Sequence, residues 1–192
     1  MSGLHSVGYF LVSTLFGLAI FILWLRIGLV YFRISALHSI GQAVYRLTDP
    51  FILPFSKLLQ IRMTRQQRYD WLSLSIVIVL VSMKYLLASM IYLDSSGLNG
   101  WLIAVCTAVD LIVQPCNILF YALLIRVIMS WVNPHWQHPL NALLFMITEP
   151  MLSWIRRYIP PVAGFDFSPL AMIMALKIIT LFVTASLPFQ LV

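Results

Sequence analysis

The chain has 192 residues, of which 61% are apolar and only 9% are charged. A soluble globular domain has roughly 25% charged residues, so this chain has too few polar side chains to cover an apolar core in water. Its 12 Lys and Arg residues outnumber its 6 Asp and Glu residues, and they lie beside apolar segments. Composition therefore excludes an ordinary soluble domain. It predicts a membrane protein whose basic residues set its orientation, with no direct nucleic acid contact.

Four apolar runs are long enough to cross a bilayer, since a spanning helix needs about 20 mostly apolar residues. They cover approximately 7–32, 71–93, 101–132 and 167–187. Open strands cannot span, because their unpaired backbone groups would be too costly in hydrocarbon. We therefore predict an all-α membrane protein with four transmembrane helices.

The segments that connect these runs differ in charge. Segments 33–70 and 133–166 carry the basic residues that we expect on a cytoplasmic face, namely Lys57, Arg62, Arg65, Arg68, Arg156 and Arg157. Segment 94–100 and the two ends of the chain contain no Lys or Arg. The positive-inside rule therefore predicts that the basic segments are cytoplasmic and that both termini are outside.

The two halves of the chain match at an offset of one hundred positions. Each half has an arginine near the end of its first span and a Thr-acid-Pro motif afterwards: Arg26, Thr48, Asp49 and Pro50 in the first half, and Arg126, Thr148, Glu149 and Pro150 in the second. We predict two parallel repeats, each built as a span, interfacial helices and a second span. The repeats are residues 1–93 and 101–192, and the external linker is 94–100.

The Thr-acid-Pro motif predicts a bend between two short interfacial helices. Proline removes a backbone donor and restricts the residue before it, so one helix should end there and another begin. In this interpretation Thr48 and Thr148 are N-caps and the acids lie in the first helical turn, just as Ser168 is expected to cap the fourth span. The alternative is that the acid is held at the membrane edge as an ion-pair partner for Arg26 or Arg126. Without such a partner, either arginine could extend its side chain to the interface by itself.

Three charged residues are predicted to lie within the spans at a shared depth. Lys84, Asp110 and Lys177 are each roughly 14–15 Å from the outer end of their span at about 1.5 Å per residue. Intramembrane charges are functional candidates by default. One carboxylate between two amines is either a structural ion pair that locks the helices or a charged layer on an ion pathway.

Several stretches of the chain resemble the YGGT family of bacterial and plastid membrane proteins. In the second half these are "LLIRVIMSWV" and "ITEPMLSWIRRYIPPVAGFDFSPLAMIM", within 123–174. In the first half they are "WLRIGLVYF" and "LTDPFILPFSKLL". The resemblance implies two YGGT repeats in a multi-pass protein of the bacterial inner membrane. It also implies roles in osmotic stress and ion homeostasis, in division or nucleoid organisation, or in the maturation of plastid membrane complexes.

The residues contain no phosphate loop, nucleophile elbow or HExxH motif, and the two histidines of "HWQH" are too few for a metal site. We therefore predict a non-enzymatic protein without a cofactor or metal. The first hypothesis is a role in osmotic-stress tolerance or ion homeostasis, as a channel-like protein or transport modulator. The alternative is a scaffold or assembly factor for a division, nucleoid, respiratory or photosynthetic complex. The expected partners are the lipid bilayer, anionic lipids at the cytoplasmic face, and either further copies of the chain or a membrane protein complex.

Overall fold

The structure is a computed structural model that describes residues 2–33, 39–58, 70–92, 100–132, 138–159 and 166–185. These residues form six helices: α1 (Ser2–Tyr31), α2 (Ser39–Leu58), α3 (Trp71–Tyr92), α4 (Gly100–Val132), α5 (Pro139–Ile155) and α6 (Ser168–Ala185). This part of the chain contains no strand. The predicted basic residues Arg62, Arg65 and Arg68 and most of the predicted linker, 94–99, lie outside the described residues.

Four helices are long and apolar enough to cross a membrane, at Ser6–Tyr31, Trp71–Met90, Gly100–Val132 and Ser168–Ala185. The predicted all-α fold with four candidate spans is therefore confirmed. Large apolar side chains such as Leu15 and Phe182 remain exposed on these helices. That pattern is expected where lipid rather than water surrounds a helix.

The chain forms two compact units, residues 1–37 with 41–111 and residues 38–40 with 112–192. In the first unit α1 packs along α3. Ile20 of α1 and Val77 of α3 are both completely buried, and so is Ile52 of α2. Interlocking apolar side chains therefore form the core of this unit.

The second unit contains α5, α6 and the part of α4 from residue 112 onward. Leu123 of α4, Leu152 of α5 and Leu176 of α6 form one buried cluster. Met129 and Leu144 belong to a second cluster between α4 and α5. Helix α5 is thus packed onto α4 and α6 through its apolar residues.

The predicted bend at each Thr-acid-Pro motif is wrong. Helix α2 runs through Pro50 without a break, and α5 runs through Pro150. The threonines are not N-caps but interior residues: Thr48 Oγ1 donates to the Val44 carbonyl at 2.8 Å, and Thr148 Oγ1 makes the equivalent bond to Leu144 at 2.7 Å.

The physical reason is that tertiary burial continues on both sides of each proline. In α2, Val44, Thr48 and Ile52 are buried at a spacing of four residues, which forms a stripe along one side of the helix. In α5 the buried residues Thr148 and Leu152 lie on either side of the proline in the same way. An interior proline costs about 3 kcal/mol, and burial on both sides of it offsets that cost.

The ends of three helices are capped by residues that the sequence reasoning did not assign. His138 Nδ1 accepts from the Leu140 backbone N–H at 3.2 Å, so His138 is the N-cap of α5. Asp70 Oδ1 accepts from the Ser73 N–H at the start of α3, and Asp166 Oδ1 accepts from the Ser168 N–H at the start of α6, each at 3.0 Å. The predicted Ser168 cap is wrong, because Ser168 is already the first residue of α6 and its N–H is bound by the carboxylate of Asp166.

A continuous α5 makes a specific prediction for Pro150→Ala. Alanine would supply the missing donor to the carbonyl four residues earlier, so we expect the free energy of unfolding to rise by about 1–3 kcal/mol. Thermal unfolding of the purified protein in detergent, followed by circular dichroism, measures the change. The matched control is Pro169→Ala, because proline in the first turn of α6 is favourable and its removal should bring no gain. A lower melting temperature for Pro150→Ala would show that the proline does not destabilise α5.

Candidate functional site

The first candidate site is centred on Arg26, which is only 6% exposed. Its Nη1 donates to Thr48 Oγ1 at 2.7 Å and to the carboxylate of Asp49, and its Nε donates to Asp70 Oδ2 at 3.2 Å. The guanidinium carbon lies 4.9 Å from the centroid of the Tyr45 ring. We call these five residues the Arg26 cluster. It joins α1, α2 and the start of α3.

Local geometry explains why this set of residues converges. Tyr45, Thr48 and Asp49 are spaced three and four residues apart, so they share one face of α2. Asp70 immediately precedes α3 and caps it, and its Oδ2 also accepts from the Ser73 hydroxyl at 2.6 Å. An arginine presents its donors as a rigid planar fork, which lets one buried side chain bind three acceptors on two segments.

The second unit contains the matching Arg126 cluster, made of Arg126, Phe145, Thr148, Glu149, Arg156 and Asp166. Arg126 Nη1 donates to Thr148 Oγ1 at 2.6 Å, and its Nη2 donates to Glu149 Oε2 at 2.7 Å. The guanidinium carbon is 4.2 Å from the Phe145 ring centroid.

Arg156 extends this cluster toward α6. It donates to the second oxygen of Glu149, and its Nη2 lies 2.8 Å from Asp166 Oδ2. The two arginines and two carboxylates therefore form a continuous chain of ion pairs from α4 through α5 to the start of α6.

The two clusters use equivalent positions but differ in their charge balance. Position 156 is arginine, whereas the equivalent residue in the first half is Ser56. Arg26 reaches Asp70 directly, while Arg126 contacts only Glu149 and Arg156 makes the link to Asp166. The second cluster thus balances its formal charges, whereas the first has one more carboxylate than arginine.

Ionisation within the Arg126 cluster follows from these contacts. Burial disfavours the charged form of Glu149, but hydrogen bonds from Arg126 and Arg156 outweigh it and hold its pKa below the usual value. Burial likewise opposes ionisation of Asp166, but hydrogen bonds from Ser168 and Arg156 lower its pKa. Both carboxylates are therefore charged at neutral pH, as the chain of ion pairs requires.

The predicted intramembrane layer is divided between the two units. In the first unit Lys84 Nζ donates to Asp110 Oδ2 at 3.0 Å, and these side chains are only 16% and 13% exposed. The hydroxyls of Ser82 and Thr107 add a contact at 3.4 Å between the same two helices. In the second unit Lys177 is exposed, and its Nζ lies 4.5 Å from the Phe120 ring centroid. The structure thus brings Lys84 and Asp110 together and gives Lys177 an aromatic neighbour.

The basic residues that the structure describes have unequal surroundings. Lys57 near the end of α2 and Arg157 just after α5 are exposed, whereas Arg156 is engaged by two carboxylates. The described part of the chain contains no group of three or more His, Cys, Asp or Glu side chains that could bind a metal.

The pairing of Arg26 with Asp49 and of Arg126 with Glu149 is one of the two alternatives that the sequence leaves open. The sequence does not identify Asp70 and Asp166 as members of the clusters, and it places Arg156 only on the basic face. The available indication was that Asp70 and Asp166 each precede an aromatic residue at the start of a returning span.

The chain is similar to a family of known proteins. The CCB3/YggT family model matches residues 6–91 and 104–187, which are two segments that together cover most of the chain. No solved structure gave a significant match.

Several bacterial proteins are similar over most of their length. An uncharacterized protein encoded in the proC 3′ region of Vibrio alginolyticus is 30% identical over 168 residues, 88% of each chain. An uncharacterized protein of Pseudomonas aeruginosa is 31% identical over 97% of this chain and 93% of its own length. The Escherichia coli K12 protein named YggT is 29% identical over 90% of this chain and 86% of its own length.

The geometry of the Arg26 cluster makes a prediction about stability. Arg26→Met would leave Asp49 and Asp70 without their cation, so we expect unfolding to become easier by about 3–5 kcal/mol. Arg26→Lys should restore only part of this, because an ammonium cannot reproduce the planar fork. Thermal unfolding in detergent measures both, with the exposed Lys57→Met as the matched control. A melting temperature unchanged in Arg26→Met would show that α2 does not depend on this cluster.

Proposed function

This chain is a member of the CCB3/YggT family, and from that premise we propose that it is a non-enzymatic membrane scaffold that presents two interfacial helices to other membrane components. The observation that supports this most directly is the pair of arginine clusters. Each cluster ties an interfacial helix to the spans of its own unit at equivalent positions. A helix fixed in this way is a rigid surface, which is what docking requires.

The outward surface of α2 supports a docking role. Leu47, Phe51 and Phe55 are exposed at a spacing of four residues, and Phe51 is 67% exposed. They lie three residues after Val44, Thr48 and Ile52, so they form an exposed stripe directly beside the buried one. Helix α2 therefore has a broad apolar side, part of which is buried in its own unit and part of which is open to lipid or a partner protein.

The outward surface of α5 has a similar character. Trp154 of α5 and Tyr158, just after the helix, are exposed and meet edge to face with ring centroids 5.1 Å apart. Trp and Tyr are enriched at membrane interfaces. Exposed Arg157 lies between them in sequence. With Lys57 it provides positive charge that would attract anionic lipids, by about 1 kcal/mol for each basic residue.

The proposal places the protein in the bacterial inner membrane with its basic segments in the cytoplasm and both termini outside. The two repeats would then be parallel, and both interfacial helices would face the cytoplasm. The charge difference between the connecting segments supports this orientation. Partners of the scaffold would be anionic lipids together with a membrane complex or further copies of the chain.

Photocrosslinking in cells tests the scaffold. A photoreactive residue at Leu47 should give one defined protein adduct, whereas the same residue at Leu15, exposed on span α1, should give lipid adducts only. The exposed Phe51→Ser should remove the adduct at position 47 without unfolding the protein. Identical adducts from positions 47 and 15 would overturn the scaffold proposal.

A second candidate function is osmotic-stress tolerance or ion homeostasis, through channel-like activity or modulation of transport. The Lys84–Asp110 pair favours it, because both residues lie in candidate spans and are largely buried. Ion flux through proteoliposomes tests this function. We expect Asp110→Asn to reduce flux at least several-fold and Lys57→Met, outside the candidate spans, to leave it unchanged. Absence of flux from folded parent protein would remove this candidate.

A further inference from the structure

Lys177 occupies an unusual position for a charged residue. It lies near the middle of the candidate span Ser168–Ala185, with nine helical residues before it and eight after it. At about 1.5 Å per residue, its backbone is roughly 12–14 Å from either end of the described helix. A lysine near a helix end can extend its side chain so that the ammonium reaches the membrane interface. Lys177 lies too far from both ends of the helix for its ammonium to reach the interface.

The contacts of Lys177 leave its charge without a carboxylate in its own unit. The described acids of that unit are Glu149 and Asp166, and both are bound by arginines of the Arg126 cluster. The Phe120 ring, 4.5 Å from Nζ, offsets the cost of the charge only in part. Lys84, in contrast, has Asp110 at 3.0 Å.

The surface around Lys177 has the spacing of a helix-packing seam. Leu170, Met174, Lys177 and Leu181 follow one another at intervals of four, three and four residues, and all are exposed. This is the heptad pattern along which a second helix packs, and a polar residue at one seam position selects the partner. The seam is therefore apolar with a single cation near the centre of the span.

We propose that Lys177 is a docking point within the bilayer for a transmembrane helix of another protein that carries an aspartate or glutamate near its centre. This inference rests on the proposed scaffold function and names the chemistry of its partner. A carboxylate on the facing helix would satisfy the ammonium where water is absent, and the apolar seam would supply the surrounding contact.

Two other occupants fit the observations less well. The described spans of this chain contain one acid, Asp110, which already pairs with Lys84, so a second copy offers no unpaired carboxylate there. Lipid phosphates lie at the membrane interface, roughly 15 Å from the centre of the bilayer. A partner helix with its own central acid satisfies both the depth and the charge.

A synthetic partner tests this proposal with the full-length protein. The probe is a fluorescent leucine- and alanine-rich transmembrane peptide with a central aspartate, and the comparison peptide has leucine there. Both are mixed with labelled protein in phosphatidylcholine vesicles, and association is measured by energy transfer. We expect the aspartate peptide to associate at least about tenfold more strongly.

The variants separate a specific contact from general helix association. Lys177→Met should abolish the preference for the aspartate peptide, and Lys177→Arg should retain it. Arg46→Met, at an exposed basic residue of α2 outside the candidate spans, is the control and should leave the preference intact. Equal association of the two peptides with folded protein, or an unchanged preference in Lys177→Met, would overturn the proposal. If crosslinking at Leu47 still succeeds, such a result removes the Lys177 docking point and leaves the scaffold in place.

Discussion

In each half of this protein, an arginine near the end of a candidate span is held by several partners, and the need for those partners positions the neighbouring helices. Arg26 is only 6% exposed, and burying its charge is tolerable only if hydrogen-bonding and anionic partners surround it. Those partners come from α2 and from the residue that caps α3. Helix α2 and the start of α3 are therefore positioned by one requirement. In the second half, Arg126 binds Glu149, and Arg156 links Glu149 to Asp166.

The contacts of the arginines also explain why helices α2 and α5 continue through their prolines. Thr48 and Asp49 lie just before Pro50, so the residues that bind Arg26 are adjacent to the weakest point of the helix. Ile52, just beyond the proline, is completely buried. A helix held on both sides of a proline does not need to end there, although the isolated sequence favours a break. The proline leaves a carbonyl without its helical donor in a region that is tied down by other contacts.

The charged residues of the spans illustrate two solutions to the same problem. Lys84 and Asp110 neutralise each other within one unit, and their side chains are mostly shielded. Lys177 has an aromatic ring beside it and an exposed apolar seam along its helix. The paired charges satisfy each other within one unit, whereas Lys177 has only an aromatic neighbour in its unit, which is the basis of its proposed role in recognition. This contrast connects the interior of the protein to its proposed role as a scaffold.

The sequence by itself determined that the surface suits lipid rather than water. It also determined the four candidate spans and the equivalent positions of the arginines and Thr-acid-Pro motifs. These are properties of composition, run length and spacing, and each can be read from neighbouring residues. Only the tertiary structure decided that α2 and α5 continue through their prolines. It also decided that Asp70 and Asp166 complete the clusters and that Lys84 forms an ion pair with Asp110. Arg26 and Asp70 are 44 positions apart, so their contact depends on how the helices pack. Local periodicity carries no information about such a contact, because the partner depends on how helices that are distant in sequence pack together.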